Sequence, residues 1–201
     1  KKNGAPFDYF RNRIMFPIID VSGNVIAFGG RVMDDSMPKY LNSSDTPVFK
    51  KSRNLFALNF ARASCAEEMI LCEGYMDVIA MHAAGFTNAV ATLGTALTPE
   101  QARIMARYTK RVLISYDSDA AGQKAANRAI GILGEVGLDV RVLRIEGAKD
   151  PDEFIKKYGA DKFRLQLSGS FSKFDFNMDG ILSRHNIAIP DEKIKACAEL
   201  T

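Results

Sequence analysis

The chain of 201 residues has no tryptophan, two histidines (His82, His185) and three cysteines (Cys65, Cys72, Cys197). An odd cysteine count without any CxxC spacing argues against a disulfide framework, and two histidines do not complete a zinc ligand set. The thiols are expected to be reduced, as in a cytosolic protein. No stretch approaches the ~18 consecutive apolar residues of a spanning helix, so none is expected. The opening KKNGAPFDYF carries neither an initiator Met nor the apolar core of a signal peptide, and the chain is expected to be an internal piece of a longer protein. Apolar residues make up 47% and charged residues 25%, a composition of folded domains rather than disorder.

Glutamate is missing from residues 1–62, where ten Lys/Arg stand against five Asp; residues 63–201 hold seventeen Lys/Arg against nineteen acids. The front is thus basic and the rest slightly acidic, which suggests two surfaces with different partners.

Residues 13–32 read as a β-hairpin: RIMFPIID and VIAFGGRV flank the turn residues VSGN, and Pro17 marks an edge strand or a bulge. Residues 34–56 read as a long loop. Beyond, a helix (ALNFARASCAEE) leads to four β-runs, MILC, NAVATL, KRVLISYD and DVRVLRI, alternating with the helical YMDVIAMHAAG, TPEQARIMARY and AAGQKAANRAIGILGEVG. Such alternation predicts a parallel α/β sheet. After Gly147 the pattern is helical: PDEFIKKYG, ADKFRLQLSG, SKFDFNMDGILSRHN and PDEKIKACAEL, the last running off in mid-pattern at Thr201.

In an open α/β sheet, ligands bind beyond the carboxyl ends of the strands. Three of the four β-runs deliver acids there: Glu73 with Asp77 a turn on, Asp117 with Asp119, and Glu146 followed by Asp150 and Asp152. Crowded carboxylates repel and raise one another's pKa unless cations neutralise them. Hard oxygen ligands select Mg²⁺, Mn²⁺ or Ca²⁺, and a pair of such ions suits in-line displacement at phosphorus. Competing readings stand beside this. Asp119 and Asp150 could cap helices, the latter with Pro151 in the first turn. An EF-hand fails, because Ala121 and Arg128 occupy its fifth and twelfth positions.

In the front segment Arg11, Arg13, Arg31, Lys39, Lys50, Lys51 and Arg53 are interleaved with six aromatics from Phe10 to Phe56. Charge for a phosphate backbone and rings for stacking suit single-stranded nucleic acid; filling a small core is the other use of the rings. Gly29-Gly30 before Arg31 would let phosphate approach the main chain.

EGYMDV (73–78), ATLGTALT (91–98), SYDSDAAGQKAA (115–126) and KDPDEF (149–154) resemble the TOPRIM signature of bacterial DNA primases. RNRIMFPIID, VIAFGGRV, PKYLNSSDTPVFKKS and NLFAL resemble the basic subdomain of the same enzymes. The resemblance implies an α/β fold in three parts: a basic α+β subdomain (1–62), a TOPRIM parallel-sheet domain (63–147), and an acidic KDPDEF segment with C-terminal helices (148–201). It implies a DNA-directed RNA polymerase that makes short primers on single-stranded DNA in the cytoplasmic replisome. Glu73, Asp117 and Asp119 match its catalytic acids, with Asp77, Asp150 and Asp152 as further acids at two or more Mg²⁺ or Mn²⁺ ions; no zinc is expected. Arg31, Lys39, Asn42 and Lys51 match its basic ridge. NTPs, template and an RNA–DNA hybrid are the implied partners, with a helicase engaged through regions outside this chain. A TOPRIM nuclease or topoisomerase, and a non-catalytic single-strand-binding module, are the alternatives.

Overall fold

The structure, a computed structural model, describes residues 7–145, 147–169, 171–172, 178, 181–182 and 184–199. Glu146, and most of the helix expected over SKFDFNMDGILSRHN, lie outside the described residues.

The front forms a three-stranded antiparallel sheet, β1 (Arg13–Ile19), β2 (Val25–Val32) and β3 (Tyr40–Asn42), in that spatial order. Pro17 sits in edge strand β1, and the register slips between Ile18 and Ile19, so both expected explanations of the proline apply. The Asp20 carboxylate accepts from the backbone N–H groups of Ser22 and Asn24 at 2.9 Å and closes the hairpin turn, where Gly23 takes φ 95°. Strand β3 lies inside the segment expected to be loop. Its three residues are too few to show alternation, and pairing with β2 makes them a strand.

The helix expected over residues 57–68 is a single turn, α1 (Leu58–Ala61). The Ser64 hydroxyl donates to the Ala61 carbonyl at 3.3 Å, and Cys65 turns into the core. The large sheet contains β4 (Met69–Cys72), β5 (Ala89–Ala91), β6 (Arg111–Ser115), β7 (Asp139–Val142) and β8 (Phe171–Ser172), in the order β5-β4-β6-β7-β8. The first four are parallel, as expected. Strand β8 is antiparallel, falls where helix was expected, and covers the β7 edge that would otherwise be open to pairing.

Alternation assigns the two faces. Met69, Leu71, Val112, Ile114 and Val140 pack under α3 (Pro99–Met105) and α4 (Ala120–Glu135). Ile70, Cys72 and Leu113 pack under α2 (Tyr75–Ala83), α5 (Pro151–Tyr158) and α6 (Ala160–Ser168). Strands buried on both faces need continuous apolar runs, which MILC and VLI supply. The last described helix is α7 (Pro190–Glu199). Thr98 caps α3 as expected, accepting from the Gln101 N–H at 3.2 Å.

After β4 the chain crosses one face through α2 to β5; after β6 it crosses the other through α4 to β7. The carboxyl ends of β4 and β6 therefore flank a switch point, where a crevice must open. A third core of Phe16, Ile18, Ala27, Phe49, Tyr75 and Leu93 joins the small sheet to this edge.

Candidate active site

A crevice of about 510 Å³ lies between the small sheet and the switch point. One wall carries Arg31, Lys39, Tyr40 and Asn42; the other carries Glu73, Asp77, Asp117, Asp150 and Asp152, with Lys149 and Lys156 among them. Three helices start at the acidic edge, with Gly74, Asp119 and Asp150 as their N-caps.

The acids differ in what they already do. Asp77 is in the first turn of α2 and accepts from the Gly74 N–H at 3.2 Å. Asp119 accepts from the Gly122 N–H at 2.8 Å, and Asp150 from the Glu153 N–H at 2.8 Å, so both capping readings hold. Asp152 is paired with Lys156 at 2.6 Å. Glu73 follows β4 directly, and Asp117 follows β6 after Tyr116. Burial raises the Glu73 pKa, and the Asp117 and Asp119 charges add to it. Burial, then Asp150, raises that of Asp117, with Lys149 opposing. Asp77 is pushed up to about 7 by burial, Asp150 and Asp117.

Among the described residues, no three His, Cys, Asp or Glu side chains form a ready-made metal ligand set. The six acids thus ring the crevice and helix starts rather than converging. Asp119 does not line the crevice, its carboxylate being turned to the start of α4. The donor chemistry still fits a hard divalent cation. Hard carboxylates line the same edge, and burial first, then neighbouring carboxylate charge, raises the pKa of three of them.

The expected cations divide. Arg31 and Lys39 face the acids across the crevice; Arg11, Arg13, Lys50, Lys51 and Arg53 do not line it. The Arg13 guanidinium donates to the carbonyls of Pro38 (2.9 Å), Gly30 (3.3 Å) and Lys39 (3.4 Å), a scaffold duty. Lys50 lies 4.0 Å from Asp45. The glycine pair also has a different reason from close phosphate approach. Gly29 and Gly30 are paired in the ladder on both sides, and a Cβ on Gly29 would stand 2.6 Å from the Tyr75 ring.

Sequence reasoning missed Tyr75, Lys149 and Lys156, whereas Tyr40, one of the six interleaved aromatics, does line the crevice. Tyr75 is 3% exposed and looks like a core residue; only its place directly after Glu73-Gly74 signals more.

A parallel sheet with acids at its switch point, facing a basic antiparallel sheet across a crevice, is the arrangement of a Toprim-type domain beside a basic subdomain. The Toprim-like family model matches residues 70–155, and the model for the DNA primase catalytic core, N-terminal domain, matches residues 1–62. The DNA primase of Clostridium acetobutylicum is 45% identical over 100% of this chain and 34% of its own length. The Aquifex aeolicus primase structure with zinc-binding and RNA polymerase domains is 42% identical, with a TM-score of 0.82 over 88% of this chain and 44% of that one. A DnaG primase catalytic domain bound to single-stranded DNA is 34% identical, with a TM-score of 0.85 over 98% of this chain and 66% of that one. The chain belongs to the bacterial DNA primase family. It spans about a third of the length of the curated primases it matches.

Proposed function

We propose that the chain is the RNA-polymerising core of a DNA primase, a nucleotidyltransferase that lays short RNA primers on single-stranded DNA. The observation that carries this reading is the crevice itself, with Arg31 and Lys39 on one wall and Glu73, Asp77, Asp117 and Asp150 on the other. The related domain solved with single-stranded DNA supports a template on the same fold.

Arg31 and Lys39 hold the triphosphate of the incoming NTP. The Arg31 Nε is buried without a hydrogen-bond partner among the described residues, which fits a partner that arrives with substrate. Mg²⁺ or Mn²⁺ held by Glu73 and Asp117, with Asp77 and Asp150 beside them, would neutralise charge and ease ionisation of the attacking hydroxyl. Asp119 and Asp152 strengthen the negative field there. The primer 3′-hydroxyl attacks the α-phosphorus, its proton passes toward Glu73, and pyrophosphate leaves. Crevice walls fixed on two sheets keep the reactants aligned. Arg11, Lys50, Lys51 and Arg53 hold template and RNA–DNA hybrid backbones, and the core works in the replisome with a helicase engaged elsewhere in the protein.

Incubation with a single-stranded template, labelled NTPs and Mg²⁺ or Mn²⁺ tests this. Short ribonuclease-sensitive products support it; strand cleavage without incorporation would assign a nuclease or topoisomerase instead.

A further inference from the structure

The basic wall and the acidic wall are joined through one side chain. The Asn42 amide N–H donates to the Leu93 carbonyl at 2.8 Å, and the Tyr75 hydroxyl donates to the Asn42 Oδ1. Asn42 lies on β3, Tyr75 opens α2 two residues after Glu73, and Leu93 lies in the turn after β5. Three elements of the crevice thus meet at a single amide.

The backbone approaches this amide closely on two sides. A Cβ on Gly29 would stand 2.9 Å from the Asn42 Oδ1 and 2.6 Å from the Tyr75 ring. A Cβ on Gly94, which takes φ 71°, would stand 3.0 Å from the Asn42 Nδ2. The Tyr75 ring is fixed in turn by Phe56 at 4.5 Å, Phe16 at 5.5 Å and Tyr40 at 6.2 Å between centroids. A half-buried amide whose oxygen and nitrogen are both engaged is held in one orientation, and loss of either partner removes one of its two anchors.

We propose that Tyr75 and Asn42 form a positioning lock, which sets the Arg31–Lys39 ridge at a fixed distance from Glu73 and Asp77, and that Asn42 works through this lock rather than as a substrate ligand. The proposal rests on the primase reading for its kinetic consequence and on geometry for the lock itself. Arg31 pairs with Tyr40, and Gly29 with Asn42, in the same β2–β3 ladder. The ridge therefore moves with Asn42. Asp77 lies in the first turn of the helix that Tyr75 opens.

The test uses the full-length primase and Tyr75→Phe, which removes one hydroxyl and keeps the packed ring, with Asn42→Ala and the double variant beside it. The lock predicts that Tyr75→Phe keeps the KM for NTP near the parent value, because the ridge is intact. It predicts that kcat falls by roughly 10–100-fold, because a misplacement of about 1 Å is enough to cost that much. The double variant should lose no more than the worse single one. Hydrogen exchange at residues 40–42 and 93–94 should quicken in Tyr75→Phe. A substrate-ligand role for Asn42 would instead raise KM in Asn42→Ala and leave Tyr75→Phe active; a scaffold role alone would lower the melting temperature with kcat per folded molecule unchanged. Either outcome overturns the proposal. A parent enzyme that makes no RNA refutes the primase reading, while unchanged exchange in Tyr75→Phe refutes the lock on its own.

Discussion

A Cβ on Gly122 would overlap the main-chain carbonyl of Asp117. The glycine in the first turn of α4 therefore lets that helix start directly against the end of β6, with Asp119 turned back onto its N-terminus. Gly122→Ala should cost about 1–3 kcal/mol by overpacking. Gly131, in the exposed interior of the same helix with nothing near its missing Cβ, should respond oppositely, Gly131→Ala gaining about 0.5–1 kcal/mol. Denaturant melts of the two variants check both signs. A neutral Gly122→Ala would contradict the close approach.

Asp77 is expected to make stability depend on pH. Its pKa rises from 3.8 to about 7 on folding. Between those values the folded chain keeps a proton that the unfolded chain has lost, so stability falls as pH rises through the window and levels off above it. Glu73 and Asp117 are shifted in the same direction and add to the slope. Asp77→Asn keeps an acceptor for the Gly74 N–H and removes this titration. In the absence of divalent ions it should melt higher than the parent at pH 8 and show a shallower fall from pH 4 to 7. An Asn variant that melts lower at pH 8 would contradict the account that burial and neighbouring carboxylates penalise the Asp77 charge.

Asp119 has two separable duties. Asp119→Ala removes the cap on Gly122 and should lose about 0.5–2 kcal/mol, while Asp119→Asn keeps the cap and should stay near the parent. If the negative field matters to the reaction, both variants should lose primer synthesis. Thermal melts beside activity distinguish a cap alone from a cap with charge.

The cations should fall into three groups. Arg31→Ala and Lys39→Ala are expected to keep the parent melting temperature and lose most synthesis. A Lys50/Lys51/Arg53 triple alanine lies outside the crevice; it should weaken single-strand binding, lower the salt slope by roughly 1 for each phosphate no longer neutralised, and leave the KM for NTP unchanged. Arg13→Ala strips three carbonyls of a donor and should destabilise the small sheet. Titrations at several salt concentrations, with melts, check all three.

The acidic edge is legible in the sequence because Glu73 and Asp117 come directly after short apolar runs, and a parallel sheet presents the residues beyond its strand ends along one edge. Capping by Asp119 and Asp150 is legible for a similar local reason. The basic wall is not. Charge gives no direction, so Arg13, held by carbonyls of its own sheet, and Arg31, facing the acids, look alike as letters in a chain. Asn42 and Tyr75 stand 33 residues apart, and their hydrogen bond exists only through the packing of the two sheets. Gly29 reads locally as a phosphate-approach residue, and only the packed structure shows that a Cβ there would meet Asn42 and Tyr75.

The most direct measurement is a crystal of the full-length primase with Mn²⁺ and a non-hydrolysable NTP, read by anomalous scattering. Manganese against Glu73 and Asp117, with the triphosphate reaching Arg31 and Lys39, is the predicted result. Nucleotide bound away from the crevice, or no manganese at these acids in the presence of nucleotide, would contradict it.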